Sequence, residues 1–230
     1  MGFFTKNKAV AIDGPAGSGK STVSRLVAER LNYVYIDTGA MYRALTLKAM
    51  MKGLDLADEE GLTGLSADID LKLMPSDEKK TTIRVILDGR DVSEDIRKME
   101  VTGNVKYIAK VGAVRENMVA LQRKMADEMD GTVMEGRDIG TVVLKNAKNK
   151  FYLDASFDER VGRRLAELRA KGSPVTRAEV EEDLKQRDHS DKTRKVGPLK
   201  KAEDAVFIDT TDLSVNQVVD KIVQYVRENK

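Results

Sequence analysis

The sequence predicts an α/β protein with a five-stranded parallel sheet that is covered by helices on both faces. Two observations predict this fold class. Short segments that are apolar on both faces recur along the chain, as buried parallel strands do. Longer stretches with helical periodicity lie between them, which is the alternation expected of such a sheet. The predicted strands are residues 9–13, 33–37, 132–135, 150–154 and 205–209.

Six helices are predicted from the spacing of apolar residues. Two of them begin with a capping box, Thr176 with Glu179 and Ser214 with Gln217, in which the two residues satisfy each other's free amides. The predicted helices are residues 20–31, 40–52, 95–129, 158–171, 177–187 and 215–227.

One segment, residues 65–100, interrupts the alternation. Short strands at 71–74 and 83–87, followed by the turn residues Asp88 and Gly89, predict a small antiparallel insertion. The chain has 230 residues, which suits one elaborated domain and is short for two full ones. We therefore expect a single domain, residues 1–230, that contains this insertion.

The composition excludes several classes of protein. Its 40 Lys and Arg against 38 Asp and Glu leave a net charge of +2, too weak a field to attract nucleic acid or a membrane surface. The absence of cysteine excludes thiolate chemistry, and a single histidine disfavours histidine-based catalysis or metal binding. No apolar stretch approaches the ~18–20 residues of a membrane span, and residues 1–8 lack a signal-peptide core. We expect a cytoplasmic protein without nucleic-acid or membrane partners.

A glycine-rich segment directly after the first predicted strand matches the pattern G-x-x-x-x-G-K-[ST]. Its glycines allow backbone amides to wrap a polyphosphate, and the following helix N-terminus adds partial positive charge. Lys20 can bridge the β- and γ-phosphates, and the Ser21 hydroxyl can bind Mg²⁺. The segment therefore predicts a P-loop that binds a nucleoside triphosphate through Gly14, Pro15, Ala16, Gly17, Ser18, Gly19, Lys20, Ser21 and Thr22.

Three classes of protein share such a loop. A regulatory GTPase needs the guanine-reading sequence Asn-Lys-x-Asp after a late strand, and residues 146–149 read Asn-Ala-Lys-Asn, without the Asp. A nucleic-acid motor would usually be longer and carry further motifs. A small-molecule kinase needs a second pocket rich in cations, because two anionic substrates must be brought together.

Two segments predict a second pocket of this kind. After the second predicted strand, Thr38 is the expected N-cap of a helix that carries Arg43 one turn further along. After the third strand, Gly136, Arg137 and Asp138 form a turn at the carboxyl edge of the sheet, where ligands of doubly wound sheets bind. We therefore expect a second anion site beside the P-loop.

Four segments together resemble those of the bacterial cytidylate kinases: residues 12–22, 37–43, 87–93 and 136–143. With residues 185–188 and 191–194 the likeness extends over nearly the whole chain. The resemblance implies an adenylate-kinase-like P-loop fold and the MgATP-dependent phosphorylation of CMP and dCMP to their diphosphates. It also implies that residues 65–100 bind the acceptor and that residues 158–195 form a lid. We expect a monomer.

The resemblance further implies roles for individual residues. Those at the acceptor phosphate are Tyr42, Arg43 and Arg137, and Thr38 belongs to the same acceptor site. Those facing the base are Arg115, Asp138 and Arg194, while Arg187 and Asp191 face the sugar. Three positions depart from the family pattern: Lys106 stands where Ser is usual, and Gly112 and Lys145 stand where Pro is usual.

The residue types suit phosphoryl transfer between two phosphates, which needs no general base because the acceptor oxygen is already ionised. Lys20, Arg137 and a magnesium ion on Ser21 would neutralise the migrating group, helped by Arg160 and Arg164 on the helix after the fourth strand. A carboxylate such as Asp138 can accept from the amino group of cytosine, which uracil lacks. Two alternatives stay open: another P-loop kinase, acting on UMP, AMP or a small hydroxy acid, and a nucleotide-dependent switch.

Overall fold

The computed structural model describes residues 8–75, 83–170 and 172–229. Its strands are, in chain order, β1 (Ala9–Asp13), β2 (Val34–Asp37), β3 (Leu71–Pro75), β4 (Ile83–Leu87), β5 (Arg90–Asp91), β6 (Thr132–Gly136), β7 (Asn149–Asp154) and β8 (Val206–Asp209). Its α-helices are α1 (Lys20–Leu31), α2 (Thr38–Met51), α3 (Glu59–Ala67), α4 (Met99–Ala109), α5 (Gly112–Asp127), α6 (Phe157–Ala170), α7 (Arg177–Thr193) and α8 (Val215–Glu228). A 3₁₀ turn spans Asp95–Arg97, and a π-helical turn spans Ile139–Val143.

The central sheet has five strands in the order β2, β6, β1, β7 and β8, and every neighbouring pair is parallel. This arrangement confirms the predicted sheet, and the predicted strand bounds agree with the observed ones within one residue. At the end of β1, Asp13 lies opposite Gly136 of β6 and Tyr152 of β7. Because the strands are parallel, the segments that follow them emerge at one carboxyl edge of the sheet.

The sheet buries an apolar core on each of its faces, because successive side chains of a strand point to opposite sides. On one face, Val10 and Ile12 of β1 pack in a cluster with residues of α1 and α8. On the other face, Ala11 packs in a cluster with residues of α2 and α5. Helices therefore cover both faces, as the sequence predicts.

The antiparallel strands predicted at 71–74 and 83–87 are confirmed as β3 and β4, and with β5 they form a three-stranded sheet in the order β3, β4 and β5. The chain reverses between β4 and β5 at Asp88 and Gly89, which both have left-handed φ values (+49° and +79°). Lys48 of α2 donates a hydrogen bond to Asp88 at 2.8 Å, and Val85 of β4 is buried in the same cluster as α2. The insertion is therefore fastened to α2 by a charged pair and by apolar packing.

The single long helix predicted over residues 95–129 is wrong. The structure has the 3₁₀ turn, α4 and α5 in its place, because the backbone is extended at Lys98 (ψ 144°) and at Val111 (ψ 118°). The buried residues Ile108, Val111 and Val114 keep a spacing of three across the second break, so apolar periodicity alone predicts one continuous helix.

Two further helices differ from the prediction, while both predicted capping boxes are confirmed. Helix α3 is absent from the prediction; the carboxylate of Asp58 caps its start by accepting from the Gly61 amide at 2.9 Å. Helix α7 continues to Thr193, beyond its predicted end at Arg187. With α6 it forms a hairpin that has its own small core, made of Val161, Val180, Leu184 and Ala16 of the P-loop.

None of the helices in the described part of the chain has both the length and the apolar character needed to span a membrane. Parts of several predictions lie outside the described residues, including the single domain 1–230 and the lid 158–195. These parts include residues 1–7, on which the expected lack of a signal peptide depends, residues 76–82 of the insertion, and residue 171 of the helix predicted over 158–171.

Candidate active site

The predicted P-loop connects the end of β1 to the start of α1. Gly17 and Gly19 have left-handed φ values of +79° and +82°, which residues with a side chain rarely adopt, so the chain can turn tightly before the helix begins. Among the described residues no side chain caps the N-terminus of α1, and its first turn contains no acidic residue. Its first amides and the positive end of its dipole are therefore available to an anion.

Lys20 is buried at the base of this loop, where its Nζ donates a hydrogen bond to the Pro15 carbonyl at 2.9 Å. Burial, together with the nearby Arg137 guanidinium, lowers the pKa of Lys20 to about 7. A polyphosphate bound here would favour the charged ammonium, because an opposite charge at close range stabilises the ionised form. The P-loop and the turn after β6 thus share one electrostatic environment.

Glu135, near the end of β6, joins the P-loop to the neighbouring strand β2. Its Oε2 accepts a hydrogen bond from the Ser21 hydroxyl at 2.9 Å, and its Oε1 accepts one from the Tyr35 hydroxyl. Burial and the nearby Asp37 carboxylate raise the pKa of Glu135. Glu135 is absent from the sequence prediction, and its one local signal is that an acidic residue ends a buried strand.

The oxygens of Ser21 and Glu135 fit the magnesium ion predicted at Ser21. Mg²⁺ prefers hard oxygen ligands, keeps several waters, and is commonly held through one or two carboxylates plus substrate phosphates. Within residues 8–75, 83–170 and 172–229, no group of three or more His, Cys, Asp or Glu side chains could hold a metal ion by itself. A magnesium ion at Ser21 would therefore need nucleotide phosphates as further ligands.

At the start of α2 the predicted N-cap, Thr38, is wrong. The cap is Asp37, whose Oδ1 accepts from the Ala40 amide at 2.9 Å, and whose Oδ2 accepts from Arg43 at 2.9 Å. Thr38 is already helical, and its hydroxyl donates across to the Glu135 carbonyl at 2.7 Å. The cap falls one residue earlier than predicted because the last residue of β2 supplies the carboxylate.

A network of arginines and aspartates joins the turn after β6 to α7. Arg137 donates from Nε to Asp191 Oδ2 at 2.6 Å, and Arg194 donates from Nη1 to Asp191 Oδ1 at 3.1 Å. Although burial alone would raise it, these two guanidinium groups hold the pKa of Asp191 below its usual range. Burial lowers the pKa of Arg187, and the nearby charge of Arg137 adds to that effect. The structure thus brings four of the predicted site residues together.

Asp138 lies in a second buried cluster beside this network. Arg115 Nη2 donates to Asp138 Oδ2 at 2.5 Å, and Arg194 Nη2 lies 3.9 Å from Asp138 Oδ1. The Arg115 guanidinium also lies 5.4 Å from the centre of the Tyr42 ring. Gly197 packs directly on the cluster, because a Cβ at this residue would lie 2.0 Å from Asp138 Oδ2.

Several buried polar atoms of this second cluster have no hydrogen-bond partner among the described residues: the Tyr42 hydroxyl, Arg115 Nε and Arg194 Nη2. Buried polar groups are nearly always paired, so unpaired groups that converge around a charged cluster indicate a polar ligand. Burial raises the pKa of Tyr42 to about 12, so its hydroxyl stays protonated and can donate. The cluster can therefore bind a polar ligand that accepts hydrogen bonds.

The two arginines predicted on α6 have different surroundings. Arg160 is buried, and it donates to the Ala16 carbonyl of the P-loop at 3.1 Å and to Asp188 Oδ2 of α7 at 2.7 Å. Arg164 donates to Glu167 on its own helix at 2.8 Å. Arg160 therefore contacts the P-loop directly. Its partner Asp188 is absent from the predicted site, because nothing in the local sequence distinguishes it from the other charged residues of α7.

Two of the three positions that depart from the family pattern are exposed, and the third begins a helix. Lys106 is exposed, and its Nζ lies 5.3 Å from the centre of the Tyr107 ring. Gly112 is the first residue of α5. Lys145 is exposed, and its carbonyl accepts a hydrogen bond from Lys150 Nζ at 2.6 Å.

The chain is similar to known proteins over nearly its whole length. A family model described as cytidylate kinase matches residues 10–228. A cytidylate kinase from Desulforamulus reducens is 47% identical over 226 residues, which cover 98% of this chain and 100% of that protein. A cytidylate kinase from Geobacillus kaustophilus is 50% identical over 220 residues, covering 96% of each chain. In fold, the chain is similar to the crystal structure of an uncharacterized protein from Eubacterium ventriosum, with a TM-score of 0.51 at 15% identity over 97% of this chain and 99% of that one.

Proposed function

Because the chain belongs to the cytidylate kinase family, we propose that it transfers the γ-phosphoryl group of ATP to CMP or dCMP, giving ADP and CDP or dCDP. One observation carries the proposal. The P-loop follows Asp13 of β1, and Arg137 follows Gly136, which lies opposite Asp13 in the neighbouring strand β6, so the network of arginines and aspartates begins beside the P-loop. Phosphoryl transfer between two nucleotides requires two anion sites at such close range.

The P-loop would hold the phosphates of ATP. Its amides, the N-terminus of α1 and the Lys20 ammonium all favour negative charge. The Ser21 hydroxyl, with Glu135 beside it, would hold Mg²⁺. When bound, this ion supplies further neutralisation of the β- and γ-phosphates. The protein contributes by holding these groups in a buried position, where electrostatic attraction is stronger than in water.

Tyr42, Arg43 and Arg137 would bind the phosphate of the acceptor nucleotide. The unpaired hydroxyl of Tyr42 supports this role. Arg43 would keep one side of its guanidinium on Asp37 and offer the other to the phosphate. Thr38 would support this group from the first turn of α2.

Arg115, Asp138 and Arg194 would bind the base, and Arg187 and Asp191 the sugar. In this arrangement Asp138 accepts a hydrogen bond from the amino group of cytosine. The unpaired Nε of Arg115 and Nη2 of Arg194 support the proposal, because both can donate to the acceptor atoms of the same ring. Asp191 is already aligned by two arginines and could accept from a sugar hydroxyl.

In the transfer step, an ionised oxygen of the acceptor phosphate forms a bond to the γ-phosphorus as the bond to the β–γ bridging oxygen breaks. No proton has to be removed, so alignment and charge neutralisation carry the reaction. We assign the neutralisation to Lys20, Arg137, Arg160 and Arg164, and the contact of Arg160 with the Ala16 carbonyl supports its place in this group. We further propose a cytoplasmic, monomeric, single-domain enzyme in which residues 65–100 bind the acceptor and residues 158–195 form a lid.

The test is an acceptor-panel assay with the purified protein, in which ADP release is coupled to NADH oxidation and the product is identified by chromatography. CMP and dCMP should give kcat/KM values roughly 100-fold or more above those of UMP and AMP, and EDTA should abolish product formation as read directly by chromatography, without coupling enzymes. A higher value for UMP or AMP would reassign the acceptor. ATP hydrolysis that no monophosphate stimulates would contradict the kinase activity and favour a nucleotide-dependent switch.

A further inference from the structure

The carboxylate of Asp13 connects the two candidate sites. Asp13 is the last residue of β1, directly before the P-loop, and it is 3% exposed. Its Oδ1 accepts a hydrogen bond from the Ile139 amide, and its Oδ2 accepts one from the Gly140 amide, both at 2.8 Å. These two amides begin the π-helical turn that directly follows Arg137 and Asp138.

The π-helical turn is held at both ends by charged side chains from other elements. The first amides of a helical turn have no partner within the turn, and the carboxylate of Asp13 provides one for each of two. At the other end, the carbonyls of Val142 and Val143 accept hydrogen bonds from the Arg123 guanidinium of α5, at 2.7 and 2.9 Å. The turn is thus fixed between β1 and α5.

We propose that Asp13 is a positioning residue for the acceptor nucleotide, because it holds the turn that carries Arg137 and Asp138 at a fixed place beside the P-loop. The inference rests on the proposed function and deepens it. Asp13 is assigned no contact with either nucleotide and acts through the turn that it holds. In physical terms, one buried carboxylate fixes the distance between the two anion sites, and this distance must be right for transfer.

The position of Asp13 in the sheet predicts which nucleotide site loses affinity when its carboxylate is removed. The backbone of Asp13 is paired with β6 on one side and with β7 on the other, so the start of the P-loop keeps its position when the side chain changes. The turn after β6 instead relies on the carboxylate for its first two amides. A Cβ on Gly140 would lie 3.3 Å from Asp13 Oδ2, which shows how closely the turn packs on this side chain. Losing the carboxylate should therefore weaken the acceptor site and spare ATP binding.

The test is the variant Asp13→Asn, which keeps the volume but places an NH₂ group against one of the two amides. Burial raises the pKa of Asp13 to about 6, so the measurement is made at pH 8, where the wild-type carboxylate is ionised. The KM for CMP should rise at least tenfold, while the Kd for MgATP, measured by calorimetry without CMP, stays within twofold. A parallel loss of both affinities would overturn the proposal, because it would reduce Asp13 to a general support of the fold.

A matched control is Asp209→Asn. Asp209 also ends a strand of the central sheet and also accepts two hydrogen bonds, but both reach its Oδ1 from Thr211, two residues further along the chain. This variant should leave the KM for CMP within twofold of the wild-type value.

If Asp13→Asn does not fold, Arg123→Gln decides the question, because it loosens the other end of the same turn without touching the P-loop. It should also raise the KM for CMP and spare the Kd for MgATP, and an unchanged KM for CMP would overturn the proposal. If the wild-type enzyme phosphorylates another monophosphate better, the proposed function fails. The same two measurements on that acceptor then still decide the role of Asp13.

Discussion

Removing the carboxylate of Asp188 should loosen the hairpin of α6 and α7 and leave the central sheet folded. Asp188 and its partner Arg160 are 9% and 6% exposed, so their ion pair is buried. Losing one partner of a buried pair costs about 3–5 kcal/mol, because the remaining charge stays buried without compensation. Arg160 keeps the Ala16 carbonyl at 3.1 Å and lies 3.8 Å from an oxygen of Asp154. We therefore expect the low end of this range, about 3 kcal/mol, for Asp188→Ala.

Hydrogen–deuterium exchange read by mass spectrometry measures this cost locally. Since 1.4 kcal/mol corresponds to a factor of ten, protection of the α7 amides should fall roughly a hundredfold, whereas the amides of β1 keep their protection. The control Asp158→Ala removes an ion pair with Arg177 between the same two helices, whose side chains are 88% and 44% exposed. An exposed pair contributes little, so this change should stay below about fivefold.

Equal losses of protection in Asp188→Ala and Asp158→Ala would refute the reasoning that burial makes the Arg160 pair the stronger one. The double variant Arg160→Met with Asp188→Leu gives an independent check. Replacing both partners of a buried pair by apolar side chains is often close to neutral, so most of the protection of α7 should return.

Three further predictions concern the two proposed nucleotide sites. Because burial lowers the pKa of Lys20 to about 7, its ammonium loses a proton as the pH rises above 7. Calorimetry should therefore show the affinity for MgATP falling by up to about tenfold per pH unit above 7, and a flat profile from pH 6.5 to 9 would contradict this. Asp138→Ala should remove the preference for CMP over UMP, measured as the ratio of kcat/KM values, and an unchanged ratio means that this carboxylate does not recognise the base. Gly197→Ala should raise the KM for CMP about tenfold or more and leave the Kd for MgATP unchanged, because the new Cβ would displace the Asp138 carboxylate. Equal KM values for variant and wild type would exclude a contact between Asp138 and CMP.

The parts of the molecule that the sequence predicts well are those with local causes. The P-loop needs a strand end, glycines with left-handed φ and a helix start, and all three lie within a dozen residues. Buried parallel strands are short apolar segments, so their bounds can be predicted from the local sequence alone. Helix α3 escapes prediction because Gly61 and Gly64 lower its helix propensity, and its start depends on the Asp58 cap.

The residues that the sequence does not reveal are those whose partners are far away along the chain. Asp13 and Ile139 are 126 residues apart, and Glu135 and Ser21 are 114 apart, so no spacing pattern connects them. Asp13 and Glu135 are both buried carboxylates at or next to the end of a strand, and only the strand order β2, β6, β1 brings them to their partners. Predicting these contacts would require the sheet topology in advance.

The two-sided core has a consequence for how the protein can change over generations. Val10 and Ile12 belong to the layer of α1 and α8 behind the P-loop, whereas Ala11 belongs to the layer that supports α2, α5 and the insertion. Because the two clusters are separate, a substitution in the second layer should change the packing beneath the proposed acceptor site and leave the packing behind the P-loop as it is. Substitutions that alter the proposed acceptor site can therefore accumulate without disturbing the core behind the P-loop.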